Sequence, residues 1–494
     1  MSASTERKNR AAARAAGTDK KMLAAQEAEQ KARKSKRKWT VGVVAVILFI
    51  ALVLVLSSPM MYRITTAETI CGVDYSPAEV KYIRGSSKMS LAGYGYDAIA
   101  STYGSDLADQ LLENDVNSKL LRNSALVQYA KEQGISLDSA EQNATREAAK
   151  TQMDYLRGAA QTNGVSLSTV MSYYFGAGVN ESVIRSCMNG SNLAGKASFT
   201  KYCQLQYSPE ELAAYYEDPA DADLFSYTSF LVKAEEGADP AEAKTAAEAL
   251  VMGFTDLNDG EVEPQVLFSD LVAEEYPDQA PTPRSGVTGA QLDETLRGWL
   301  TDPARKSGDI TALEAADGSG WNVVLFLERS ENTEEVVAVR HILVKAEATE
   351  DGVYTDEAKA AAKEKAEKIL ADFQSGDQSE ASFALYALLY SEDTGSSENG
   401  GLYSTVTAGQ TVEEFDKFCF ADHAYGDTAI VYGETGNPEI GGYAGYHVMF
   451  YVEKLPARDA AARDALRSSD MNEWLASLTE AVEPVYHWAY KLVD

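Results

Sequence analysis

Two apolar runs, Val336 to Val344 and His447 to Val452, constrain the fold of this 494-residue chain more than any other feature. Both are short, rich in β-branched residues and bounded by polar or Gly-rich sequence, so both read as buried strands. The chain has only 4 histidines, and each of these strands carries one of them, His341 and His447. An imidazole inside an apolar strand needs a hydrogen-bond partner. Two such rings at opposite ends of one compact unit can supply each other, either as a hydrogen-bonded core pair or as the centre of a reactive site.

Between the strands, Thr355-Asp356-Glu357 sets a cap and an acidic first turn before an Ala-rich helix that runs to Phe373 and ends at Gly376. A second helix around Phe383 to Tyr390 leads into Ser391-Glu392-Asp393, then Gly400-Gly401-Leu402, then Gly409-Gln410-Thr411-Val412-Glu413-Glu414-Phe415, then Gly426-Asp427. In that order these motifs resemble the parvulin (rotamase, PpiC-type) family of peptidyl-prolyl cis/trans isomerases over about Val336 to Leu455. The resemblance implies a catalytic set of His341, Asp393 and His447, substrate-binding positions at Leu402, Thr411, Phe415 and Ala444, and neither cofactor nor metal. The chain departs from the family pattern at Gly400-Gly401-Leu402, where Gly-Gly-Asp-Leu is usual, at Thr411, usually Met, and at Ala444, often a small hydroxyl residue. A Gly-rich segment from Gly433 to Gly442 reads as a surface loop or a groove rim. Phosphate-directed members place basic residues after the first strand. Here Lys345 is followed by Glu347, Glu350, Asp351, Asp356 and Glu357, so the expected substrate is an unmodified, partly unfolded polypeptide containing proline.

The N-terminus differs in kind. Residues 1–38 hold 12 Lys+Arg against 4 Asp+Glu, a net of +8, and residues 39–61 carry no charge at all. A basic tail before an uncharged run of this length, with Trp39 and Tyr62 at its two ends, reads as a single transmembrane anchor with its N-terminus cytoplasmic. The rest of the chain holds 32 Lys+Arg and 71 Asp+Glu, a net of −39, which argues for an extracytoplasmic bulk that binds no nucleic acid.

Residues 62–222 read as helical, with Ser105 opening a long segment that ends at Gly134 and a capping box at Ser208-Pro209-Glu210-Glu211. Their order and spacing resemble the N-terminal chaperone region of SurA-like and PrsA-like foldases, and by that resemblance 457–494 packs back on them. An internal repeat follows: Tyr227 to Ala234 aligns with Val339 to Ala346, and Ser319 to Phe326 with Ala444 to Tyr451. Residues 223–332 thus read as a degenerate parvulin-like domain with Ser229 and Asn322 in place of both histidines, ahead of a parvulin domain at 333–456. The expected class is α+β: a transmembrane helix, a helical SurA-like domain and two parvulin-like α/β domains in tandem. Cys187 and Cys203 on one continuous helix would lie about 24 Å apart, too far to bridge.

Overall fold

The computed structural model describes residues 3–17, 20–56, 59–93, 96–233, 240–436 and 441–493. The chain divides into two compact units, one of residues 1–121, 149–187 and 483–494 and the other of residues 122–148 and 188–482. The compact units therefore do not divide at residue 222. Helix α3 (Ser105–Gln133), α4 (Ser139–Thr162) and α5 (Glu181–Gln204) each contribute residues to both.

The first unit includes α1 (Lys20–Leu56), which carries much of the basic stretch and runs on into apolar sequence. Among the described residues no helix is long and apolar enough to cross a membrane. Of the anchor expected at 39–61, residues 57 and 58 lie outside the described residues, as do the side chains of 51–56. The described apolar side chains, from Trp39 to Ile50, are too few to span a bilayer. Beyond it, β1 (Glu68–Ile70) and β2 (Val73–Tyr75) form a hairpin, and the C-terminal strand Val485–Tyr486 pairs antiparallel with β1 on its other side. The His487 N–H donates to the Ala67 carbonyl at 2.8 Å, and His487 Nε2 lies 2.9 Å from Thr69 Oγ1. The last residues of the chain are thereby stitched to its first strands.

The second unit contains two four-stranded antiparallel sheets of the same topology. In the first, β3 (Leu224–Lys233) lies between β4 (Thr282–Thr288) and β6 (Gly320–Ser330), and β5 (Ile310–Glu314) flanks β6. In the second, β7 (Glu335–Lys345) lies between β8 (Leu402–Val406) and β10 (Tyr443–Pro456), and β9 (Thr428–Thr435) flanks β10. The registers also agree. Ser229 faces Val324 as His341 faces Met449, and Leu231 faces Asn322 as Leu343 faces His447. The repeat read from the sequence is therefore repeated as structure, with Ser229 and Asn322 at the histidine positions.

Both faces of the second sheet are covered, which is why β7 is buried throughout from Val336 to Val344. On one face Ala338, Ile342, Val344, Val448 and Phe450 pack against α8 (Asp356–Gln374) and α9 (Glu380–Tyr390). Thr355 caps α8 by accepting from the Ala358 N–H, and Ser379 caps α9 in the same way. On the other face Val337, Val339, Met449 and Tyr451 pack against Phe415, Phe418 and Cys419 of α10 (Glu413–Phe420). Strand alternation places His341 and His447 on this second face.

Helix α11 (Ala457–Thr479) stays with the second unit: Arg463 donates to the Ser404 carbonyl at 2.9 Å, and Asp470 accepts from the Tyr207 hydroxyl at 2.9 Å. At the N-terminal side, buried Lys196 lies 2.7 Å from Glu141 and 2.8 Å from Asp377, tying α4 and α5 to the loop between α8 and α9. All four cysteines are free.

Candidate active site

β8 pairs with β7 only as far as Arg340, opposite Leu402. Beyond that point a loop serves the edge of β7 instead of a strand. The His341 N–H donates to the Gly401 carbonyl at 2.8 Å, the Leu343 N–H to Ser391 Oγ at 3.1 Å, and the Glu392 N–H to the Leu343 carbonyl at 2.8 Å. This lacing lays the segment from Ser391 to Gly401 alongside the strand, with Asp393 level with His341. The turn that closes it has positive φ at both Gly400 (76°) and Gly401 (72°), and a Cβ on Gly401 would fall 2.1 Å from the His341 carbonyl oxygen.

The two imidazoles meet through Nδ1 to Nδ1 at 3.0 Å, both rings being buried. His341 Nε2 lies 2.9 Å from Asp393 Oδ2 and 3.1 Å from Ser396 Oγ. The same carboxylate oxygen accepts from Ser396 Oγ at 2.5 Å and from the Tyr403 hydroxyl at 3.0 Å. At the far end, the Tyr443 hydroxyl is 2.9 Å from His447 Nε2. The His341 hydrogen bond, with help from Ser396 and the Gly395 N–H, holds the Asp393 carboxyl well below the usual carboxylate range despite its partial burial. Burial above all, and then the neighbouring His341, pushes His447 down to about 3, so this ring is neutral at pH 7.

These states order the protons. Ionised Asp393 can only accept, so His341 donates through Nε2–H. The two rings share one hydrogen bond through their Nδ1 atoms, and His447 Nε2 meets the Tyr443 hydroxyl. The three hydrogen bonds form one chain that ends at the carboxylate.

Acid should undo this arrangement. The unfolded chain takes up a proton at His447 near the ordinary value of 6.5, whereas the folded ring resists to about 3. Folding stability therefore falls as pH drops below 6.5, by ~2–3 kcal/mol at pH 4.5 from this residue alone. Asp393, whose pKa is depressed on folding, adds a further loss as pH falls through the ordinary carboxylate range. Urea denaturation across pH 4.5–6.5 should show this slope, flattened in His447→Gln; an identical slope in the variant would contradict the assignment.

Phe415 lies edge-on to both imidazoles, with centroids 5.4 Å from His341 and 5.3 Å from His447. Tyr403 leans over His341 at 4.8 Å. A Cβ at Gly433 would fall 2.8 Å from His447 Nε2 and 3.1 Å from the Tyr443 hydroxyl, so glycine keeps that contact open. Beside this centre, a groove of about 370 Å³ is bordered by Leu402, Tyr403, Val406, Gln410 and Thr411. Tyr403 belongs to both groove and centre.

The structure thus brings His341, Asp393 and His447 into one network, sets Phe415 against it, and places Leu402 and Thr411 on the groove. Phe415 is itself only 2% exposed. Ala444 is fully buried, its carbonyl accepting from the Ala346 N–H at 2.7 Å, and it presents no surface to the groove. Sequence reasoning missed Ser396, Tyr403 and Tyr443. Tyr443 was within reach, because a residue four before His447 on a strand shares its face. Ser396 and Tyr403 depend on a loop path that carries no periodic signal.

Among the described residues, one acidic group has metal-ligand spacing: Asp138, Glu141 and Asp377. Lys196 already supplies its cation.

Residues 323–437 match the model of the PPIC-type PPIase domain. The match takes in His341, Asp393, Leu402, Thr411 and Phe415 and stops before Ala444 and His447. The chaperone SurA of Alkalilimnicola ehrlichii is 24% identical over 316 residues, covering 62% of this chain and 66% of that protein, just under two thirds of its length. A crystal structure of the peptidylprolyl isomerase PrsA from Bacillus cereus aligns with 64% of this chain and 93% of its own, at 17% identity and a TM-score of 0.19. Residues 323–437 therefore carry a PPIC-type PPIase domain, in a chain that is similar over part of its length to a SurA chaperone.

Proposed function

We propose that this chain is a membrane-tethered, extracytoplasmic foldase that catalyses cis/trans isomerisation of X-Pro bonds in unmodified, partly unfolded polypeptides. The observation that carries the reading is the continuous hydrogen-bond chain from Tyr443 through His447 and His341 to Asp393, set beside an open groove.

Turning an X-Pro bond means crossing a barrier of about 18–20 kcal/mol that amide resonance creates, between isomers separated by only about 0.5–1 kcal/mol. Neither a nucleophile nor a metal is needed for that. A surface that holds proline against apolar side chains and faces the amide with fixed, already satisfied dipoles favours the twisted amide over the planar one. Leu402 on the groove, with Phe415 backing the imidazoles, serves the first need. The imidazole pair serves the second, its tautomers fixed by Asp393 so that no proton has to move to the substrate.

The domain at 223–332 has Ser229 and Asn322 where the imidazoles would be and contributes binding or spacing, not catalysis. Similarity to a SurA chaperone supports a role for the helical region in holding unfolded segments. The uncharged run at 39–61 behind a tail of net charge +8 supports the tether, with the N-terminus cytoplasmic.

The test is refolding of a client whose slow phase is proline-limited, a phase of about 10–100 s at 25 °C. The full chain should accelerate that phase, and excess unphosphorylated X-Pro peptide should compete. An unchanged slow phase with aggregation still suppressed would leave a chaperone without isomerase chemistry.

A further inference from the structure

We propose that the groove selects X-Pro segments flanked by lysine or arginine and disfavours those flanked by carboxylates, an inference that rests on the isomerase reading of the same site. The groove residues Leu402, Tyr403, Val406, Gln410 and Thr411 all fall within residues 392–417, as do Asp393, Ser396 and Phe415. That segment carries six carboxylates, Glu392, Asp393, Glu398, Glu413, Glu414 and Asp416, and one cation, Lys417.

Of the cations nearby, Lys345 at the end of β7 is exposed, and the others are engaged. Lys417 Nζ lies 2.7 Å from both Glu413 and Glu414, and Lys365 lies 2.6 Å from Glu392. Arg463 reaches the Ser404 carbonyl but is buried and closed off by Glu453 at 2.9 Å and Asp464 at 2.8 Å. On the other side of the balance, Glu398 is exposed, one carboxylate of the Glu413 and Glu414 pair exceeds what Lys417 neutralises, and Asp416 accepts from the Gly409 N–H with no cation paired to it among the described residues. A client segment in the groove therefore lies in a negative field.

Tetrapeptides Ala-Xaa-Pro-Phe with Xaa as Lys, Gln or Glu, turned over by the full chain in detergent micelles, test this. At about 20 mM ionic strength kcat/KM should be about tenfold higher for Lys than for Glu, shrinking to about threefold or less at 0.5 M salt. The double variant Glu398→Gln, Glu413→Gln should at least halve the Lys-to-Glu ratio while leaving the Gln peptide rate unchanged. Equal rates for Lys and Glu, a salt-independent preference, or a ratio unmoved in the variant would each overturn the charge selection and leave the isomerase reading standing. No turnover of any peptide would overturn both.

Discussion

Asp393→Ala should lower kcat/KM for X-Pro isomerisation by about 10²-fold in a chain that still folds. One oxygen of this carboxylate gathers His341 Nε2, Ser396 Oγ and the Tyr403 hydroxyl. Alanine leaves His341 with only Ser396 opposite Nε2, so nothing charged fixes which nitrogen carries the proton, and Tyr403 loses its hold above the ring. Asp393 sits on a partly exposed loop and fills no core volume, so the chain should still fold, with a urea midpoint lowered by the loss of the contacts that hold its carboxyl ionised. A variant that is as active as the parent would remove Asp393 from the catalytic account; one that unfolds would make it a structural residue.

Arg340→Met should produce the largest loss of stability, about 3–5 kcal/mol, because it leaves Glu380 charged and buried without its ion-pair partner. The Arg340 side chain is 1% exposed. Its Nε donates to Glu380 at 2.8 Å, and Nη1 donates to the carbonyls of Asn399 at 2.9 Å and Gly400 at 3.1 Å. Those carbonyls belong to the turn that brings Gly401 to His341. The guanidinium also faces Phe199 and Tyr202 of α5, at 5.8 and 5.6 Å from the ring centroids. Adding Glu380→Leu to Arg340→Met should restore most of the stability, since the uncompensated charge goes with it. Urea midpoints of the single and double variants measure this, and a double variant as unstable as the single one would contradict it.

Much of this was legible in the sequence for identifiable reasons. Buried strands announce themselves through β-branched runs, so both histidines could be placed on strands before any geometry was known. Helix starts at Thr355 and Ser208 are written in cap residues, and both cap as expected. The repeat was legible because two strands of the sheet at 224–330 keep the apolar pattern of the sheet at 335–456 without its imidazoles. The reach of Asp393 to His341 came only through family resemblance, since a loop laced to a strand edge by backbone hydrogen bonds has no side-chain period. Ala444 shows the same limit from the other side: the family resemblance places it at the substrate, but pairing on both edges of β10 buries it. Lys196 likewise occupies an inconspicuous position between Gly195 and Ala197 and becomes informative only beside Glu141 and Asp377.

The most direct test of the central claim is cis/trans exchange of a short unphosphorylated X-Pro peptide, followed by exchange NMR with the full chain and with His341→Ala at matched folded concentration. The account predicts catalysed exchange in the parent and none above background in the variant, since the domain with Ser229 and Asn322 adds no activity of its own. Undiminished exchange in folded His341→Ala would contradict it.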